Sequence, residues 1–249
     1  SLTNDGELIE AVLNVHPFHT VHCKFVHEAL PHARLIGTRR HRDKLPHLKW
    51  DANLIEDKAT QDEFADLFDF SIPEGVDFIP EDESVHVSSV LVRHRESSIV
   101  HVDDTLMYLD LPSLIQKLVP GPKLRFHPKL AEGLEKRPGA ADDYVRWAQK
   151  LARDWSDTQI VCVAHKGIVH FTDQTFAQAI EGLSVSSDGA LVYAQVSGAF
   201  LVLDTGSGMP TITSLDDAQF PIVEDTQRGV LYTSTAGRSN LWNRWSQEA

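Results

Sequence analysis

The sequence predicts a mixed α/β fold, on three observations. Two short apolar runs, Ala33–Thr38 and Gln159–Ala164, read as buried strands. The stretch from Val76 to Leu109 carries alternating side chains of β type. Helical spacing of apolar residues returns at Cys23–Leu30, Asp142–Trp155 and Asp173–Leu183. A length of 249 residues with 42% hydrophobic content suits one main domain with a sizeable core. Residues 1–184 are expected to form that core, and 185–249 a β-rich segment packed into the same domain.

Taken in order, Asn4-Asp5-Gly6-Glu7 resembles a helix start, with Leu8, Ile9, Val12 and Leu13 following at helical spacing. The chain is then expected to be extended into His16, because a residue before proline is pushed out of the helical region and Pro17 follows. The Cys23–Leu30 helix stops at Pro31. The run Arg39-Arg40-His41-Arg42 sits among mixed charges and reads as a solvated helix face or loop. The β region divides into Val76–Ile79, Val85–Arg95 and Ser97–Leu109, the last two joined by a turn at Arg95-Glu96-Ser97-Ser98. A helix is expected at Ser113–Val119, and Pro120–Pro138, with four prolines, reads as a covering loop. Arg125, His127 and Lys129 in that loop suit either an anionic group or plain surface. Thr172 is the expected cap of the Asp173–Leu183 helix. Beyond residue 185, Ala190–Val196 and Ala199–Leu203 form an expected hairpin, with further strands near Thr211–Ser214 and Gly229–Thr233.

The formal charge of −13 opposes binding to a phosphate backbone. Two cysteines, Cys23 and Cys162, allow neither a disulfide framework nor a four-cysteine metal site, and are expected to be core thiols. No apolar run approaches the ~20 residues of a membrane span. These features lead to the expectation of a soluble cytoplasmic protein with a small-molecule substrate, bound to neither nucleic acid nor membrane; the oligomeric state is left open. Histidine stands out: there are thirteen, seven of them between His16 and His47.

Three of those imidazoles fall in seven residues, His16-Pro17-Phe18-His19-Thr20-Val21-His22. Pro17 breaks any continuous helix, so the rings project from a loop, where neutral imidazoles can converge on a metal. His86 opens an expected strand. Asp103 and Asp104 end another, and two adjacent carboxylates there are costly to bury unless a cation or a donor network meets them. His165 follows an apolar strand and precedes Gly167. Singly, each of these three pieces also reads as an ordinary polar strand end.

The order of these pieces resembles the metallo-β-lactamase superfamily, whose first motif is His-x-His-x-Asp-His. His19 and His22 keep the spacing of its second and third histidines, and His16 matches the first if Phe18 is an insertion. His86 resembles the next metal histidine, Asp104 in Asp-Asp-Thr-Leu the bridging aspartate, and His165 in Ala-His-Lys-Gly the last histidine. The resemblance covers roughly residues 5 to 183. It implies an αββα sandwich, with permuted or additional C-terminal strands, since Ala199–Gly206 resembles an early strand of the family and only fifteen residues precede His16. It also implies metal ligands His16, His19, His22, His86, Asp104 and His165, with Asp104 and His22 as catalytic residues. The expected cofactor is one or two zinc ions, with iron or manganese as alternatives. The expected function is hydrolysis of a small ester, lactone, thioester or phosphoester by a metal-activated water. A non-catalytic metal-binding scaffold and a di-iron redox protein are the other readings. Val21 departs from the pattern, standing where the family has the aspartate of its second metal; Asp103 is the candidate replacement, although strand alternation turns it away from Asp104.

Overall fold

The computed structural model describes residues 3–108, 124–127, 129–164, 167–172 and 175–185, and the strands at 191–196, 199–204, 210–213, 219–225, 230–235 and 238–243. Side chains are described as far as Ile180, Arg125 excepted. The expected helix at Ser113–Val119 lies outside these residues, as does His165.

Two sheets and their helices position the site. Strands β1 (Ala11–Leu13), β2 (Arg34–Gly37) and β3 (Trp50–Leu54) form a parallel sheet in that order. Helices α1 (Cys23–Ala29) and α2 (Arg39–Lys44) follow β1 and β2. Helix α3 (Lys58–Glu63) leads from β3 to β4 (Phe68–Ser71), which pairs with β5 (Leu91–His94). Strand β6 (Ile99–Val102) continues that sheet and pairs in parallel with β9 (Ile160–Val163), itself paired with β10 (Gly167–His170). Between them come β7 (Leu106–Tyr108) and β8 (Leu124–Phe126), paired with each other, then α4 (Leu130–Gly133) and α5 (Ala140–Asp154). Helix α6 (Phe176–Gly182) follows β10.

Alternation along β5 and β6 explains the layering. Leu91, Val100 and Val102 face the main core with Tyr144, Val145, Ala148, Leu151 and Ala152 of α5, whose apolar residues recur at helical spacing. Val92 faces the other way, joining Val15, Ile36, Ile55 and Val90 between the two sheets. Cys23 of α1 packs with Leu35 and Leu48 on the far side of the parallel sheet. Burying a helix on each outer face and two sheets between them satisfies the apolar side of every layer.

Downstream, β11 (Leu183–Val185), β12 (Leu191–Val196), β13 (Ala199–Asp204) and β14 (Pro210–Thr213) form a four-stranded antiparallel sheet. The pairing of β11 with β12 runs across the expected division at residue 185. Strands β15 (Gln219–Asp225), β16 (Val230–Thr235) and β17 (Arg238–Asn243) form another sheet, with the β15 backbone beside α4, α5, α6 and β11. No helix among the described residues is long and apolar enough to cross a membrane.

Several expectations are corrected. Residues 5–13 do not form a helix: Asn4, Asp5 and Gly6 have positive φ, and Ala11–Leu13 are drawn into parallel pairing with β2. Tertiary pairing outweighs local periodicity there. The Val85–Arg95 strand shortens to β5, so His86 does not open a strand, and Ser97–Leu109 is broken into β6 and β7 by a turn at Asp103–Thr105. Val76–Ile79 contributes one bridge, Val76 to Leu134. The covering loop at Pro120–Pro138 contains β8 and α4. Short elements without a full period, namely β3, α3 and β4, gave no pattern to read.

Two glycines give a paired test. Gly75 and Gly139 both have positive φ, but a Cβ on Gly75 would stand 2.0 Å from the Ala140 carbonyl oxygen, whereas one on Gly139 meets nothing within 4 Å. Gly139→Ala is expected to lose only the left-handed backbone penalty, about 1 kcal/mol. Gly75→Ala is expected to lose distinctly more, because backbone must move at the start of α5. Urea denaturation of both variants measures the difference.

Candidate metal centre

The first histidines are delivered by the end of β1. The Val90 amide donates to the Val15 carbonyl (2.9 Å), and the Asn14 amide and side chain both donate to the Ile36 carbonyl (2.8 and 3.0 Å). The chain leaving this anchored strand turns at Pro17, and the His19 amide donates to the His16 carbonyl at 3.1 Å. The turn stacks the rings of His16 and His19, with centroids 4.1 Å apart and planes at 26°. His16 is fully buried.

The carboxylates come from the end of β6. Pairing stops at Val102, and the next residues form a tight turn in which Asp104 takes a positive φ and the Thr105 amide donates back to the Asp103 carbonyl. Ser89 locks the turn: its hydroxyl donates to the Asp103 carbonyl (2.8 Å) and its amide donates to Thr105 Oγ1 (3.0 Å). Strand alternation does not apply past Val102, and this corrects the expectation that Asp103 points away from Asp104. The two carboxylates flank one ring. Asp103 Oδ2 lies 2.7 Å from His19 Nδ1, and Asp104 Oδ2 lies 3.5 Å from His19 Nε2.

Asp104 Oδ2 also lies 3.3 Å from His16 Nε2 and 3.9 Å from His86 Nε2. His86 reaches this point from the irregular segment before β5, where its Nδ1–H donates to the Glu83 carbonyl at 2.8 Å. That bond leaves the Nε2 lone pair directed away from Glu83. His16 Nε2, although near Asp104, is out of line for a hydrogen bond and is a buried polar atom with no partner. His16, His19 and Asp103 each offer a ligand atom, and these lie within 4.8 Å of one another, close enough to hold a metal ion.

Burial holds the His16 ring down to about 4, against the opposing charges of Asp103 and Asp104. The bonds to Asp103 and then Asp104 push His19 up to about 10. For Asp104, burial pulls upward but is outweighed by the His19 bond and the charges of His16, His19 and His127, which hold the carboxyl near 2. The chain without metal therefore carries a neutral His16 beside an imidazolium His19 clamped by two carboxylates.

The structure does not bring His22 into this group. After Thr20 the chain enters α1, and Cys23 takes the buried position, its Sγ 3.4 Å from Asn14 Oδ1 and 3.6 Å from the His19 carbonyl, so His22 is left exposed at the N-cap. Val21 is 84% exposed.

Two contributors were not foreseen in these roles. His127, just after β8, lies with its ring 6.4 Å from that of His86. Arg39 and Arg42 are exposed on α2, as expected of a solvated helix face, but His41 between them is fully buried: Nδ1 accepts from the Thr38 amide (3.1 Å), and Nε2 lies 3.3 Å from the His19 carbonyl. The signal was in the spacing Thr38-Arg39-Arg40-His41, a capping box with histidine in the place of the usual glutamate or glutamine.

Comparison of the chain with protein-family models, curated proteins and solved structures returned no match.

The titrations have opposite signs, which sets the pH dependence without metal. His16 and His41 both fall to about 4 from an ordinary 6.5, so the stability they contribute is complete above 6.5 and lost as pH falls through 4. His19, raised to about 10, contributes stability that is complete below 6.5 and lost as pH rises through 10. The urea midpoint in chelator is expected to be highest between these two limbs. His19→Asn is expected to remove the alkaline fall and leave the acid one.

Proposed function

We propose that the chain is a metal-dependent hydrolase of the metallo-β-lactamase-like αββα type, in which His16, His19, His86 and Asp104 hold one zinc ion. The observation that carries this reading is the set of distances from Asp104 Oδ2 to three imidazole Nε2 atoms, 3.3, 3.5 and 3.9 Å. Ligand atoms about 2.0–2.2 Å from a tetrahedral zinc stand roughly 3.3–3.6 Å from one another. The Nε2 of buried His16, which makes no hydrogen bond in the protein, also fits, because in the Nδ1–H tautomer it offers its lone pair to a cation.

The protein's own groups prepare the ligands. Asp103 takes the Nδ1–H of His19 and the Glu83 carbonyl takes that of His86, so both rings turn Nε2 toward Asp104. His16 differs: its Nδ1 accepts from the Phe18 amide at 3.2 Å, which puts the proton of the neutral ring on Nε2. Ligation through Nε2 moves that proton to Nδ1 and gives up the Phe18 contact. His19 gives up its Nε2 proton. A divalent cation in this position supplies Lewis acidity toward water and toward a carbonyl or phosphoryl oxygen. Imidazole and carboxylate suit zinc, and also iron or manganese. The exposure of Val21 and His22 supports a single ion.

The test uses full-length protein purified without chelator. Elemental analysis is expected to find about one zinc per chain, and calorimetry at pH 7 in buffers of different ionisation enthalpy to find a proton released on binding, from His19. Asp104→Asn and His16→Ala are each expected to weaken zinc binding by about tenfold or more. A panel of esters, lactones, thioesters and phosphodiesters is expected to yield one class hydrolysed by the zinc form and spared after chelation. Absence of binding by zinc, iron and manganese alike would overturn the reading.

A further inference from the structure

Helix α2 supplies no ligand, yet one of its side chains touches two of the three segments that do. Arg40 donates to the Pro17 carbonyl at 3.0 Å, between His16 and His19, and its guanidinium lies over the Phe18 ring, 4.0 Å from the centroid. The same guanidinium pairs with Glu83 at 2.9 Å, three residues before His86. Its side chain is only 11% exposed, which is low for an arginine and follows from the carbonyl, ring and carboxylate that surround it.

From there two paths converge on His86. The Phe18 ring stacks on the His86 imidazole, with centroids 5.2 Å apart and planes at 28°, and the Arg40 guanidinium lies over the same phenyl ring. Glu83, whose carboxylate pairs with both Arg40 and Lys44, accepts the His86 Nδ1–H through its backbone carbonyl at 2.8 Å. One path sets the tilt of the imidazole and the other its rotation. Among the described residues, the polar contacts of His86 are the bond to Glu83 and the weak approach to Asp104, and it comes from a stretch with no strand pairing of its own. Its ring is the farthest of the three from Asp104 Oδ2.

We infer that Arg40 is a positioning residue of the metal centre, holding His86 at ligand distance from the His16–His19 loop through Phe18 and Glu83. The inference rests on the metal-binding reading of the site. Lysine is no substitute, because only a planar guanidinium can lie flat on the ring while its edges meet a carbonyl and a carboxylate.

The test is a double-mutant cycle on zinc affinity, measured by competition with a chromophoric chelator, for the parent chain, Arg40→Ala, His86→Ala and the pair. Arg40→Ala is expected to weaken zinc binding about tenfold in the parent, as loss of an outer partner of a ligand does, and less than about twofold when His86 is already gone. Arg40→Lys is expected to fail to restore affinity, and the absorption bands of the cobalt(II) form are expected to shift in both Arg40 variants. If Arg40→Ala does not fold, Phe18→Leu is carried through the same cycle and is expected to show the same loss of effect in the His86→Ala background. Equal weakening in both backgrounds, or unchanged affinity with only a lower melting temperature, overturns the inference and leaves the metal reading standing. A parent chain that takes up no zinc or cobalt overturns both.

Discussion

Asp103 and Asp104 are adjacent, buried and anionic, and most of the surroundings answer the electrostatic cost of placing them there. An isolated carboxylate in such a position would take up a proton. Here Asp104 is instead kept ionised, first of all by its bond to the His19 imidazolium. The backbone carbonyl of Asp103 is tied to Ser89, and its Oδ1 accepts the Asp104 amide at 3.1 Å. The parallel sheet supports the opposite wall, because the chain leaving β1 stays anchored as far as Val15 and frees His16 to reach Asp104. The two sheets thus meet at their strand ends through charge and not only through the apolar layer of Val15, Ile36, Val90 and Val92.

The His19 carbonyl shows how far this organisation spreads. It faces the Nε2 of buried His41, which is itself fixed by the cap of α2, and it faces the Cys23 thiol at the start of α1. Burial keeps His41 near 4 and therefore neutral, so its N–H serves as a donor without adding a second cation beside His19. The beginnings of both helices therefore bear on the backbone of one ligand residue. Rigid support of this kind keeps ligand atoms in place without the metal, at the expense of burying several polar groups that must all be satisfied.

What could be read from the sequence was governed by the range of the forces involved. The convergence of His16, His19 and Asp104 was legible because a proline-broken histidine loop offers several imidazoles together, and a buried carboxylate pair calls for a cation or a donor network whatever the fold. The helix at α5 and the strands β2, β6 and β9 were legible because their periodicity is local. Asp103 was misjudged because alternation was carried one residue beyond the last paired position, where a turn with positive φ begins. Residues 5–13 were misjudged because a three-residue parallel strand depends on a partner more than twenty positions away. His41 and Arg40 were overlooked for the same reason: a charged run looks solvated until the loop it packs against is known. His22 fitted a motif spacing, but a spacing does not say where the following helix begins.

The turn at Asp103–Thr105 has an effect at a distance. It sends the chain into β7, and antiparallel pairing sets Leu106 opposite Phe126, so His127 follows the partner of a residue only two positions past Asp104. Cross-strand register, and not the number of residues between Tyr108 and Leu124, therefore delivers His127 to the carboxylates. The two carboxylates and His127 are therefore tied together by the pairing of two short strands, in which Leu106, Met107 and Tyr108 face Phe126, Arg125 and Leu124.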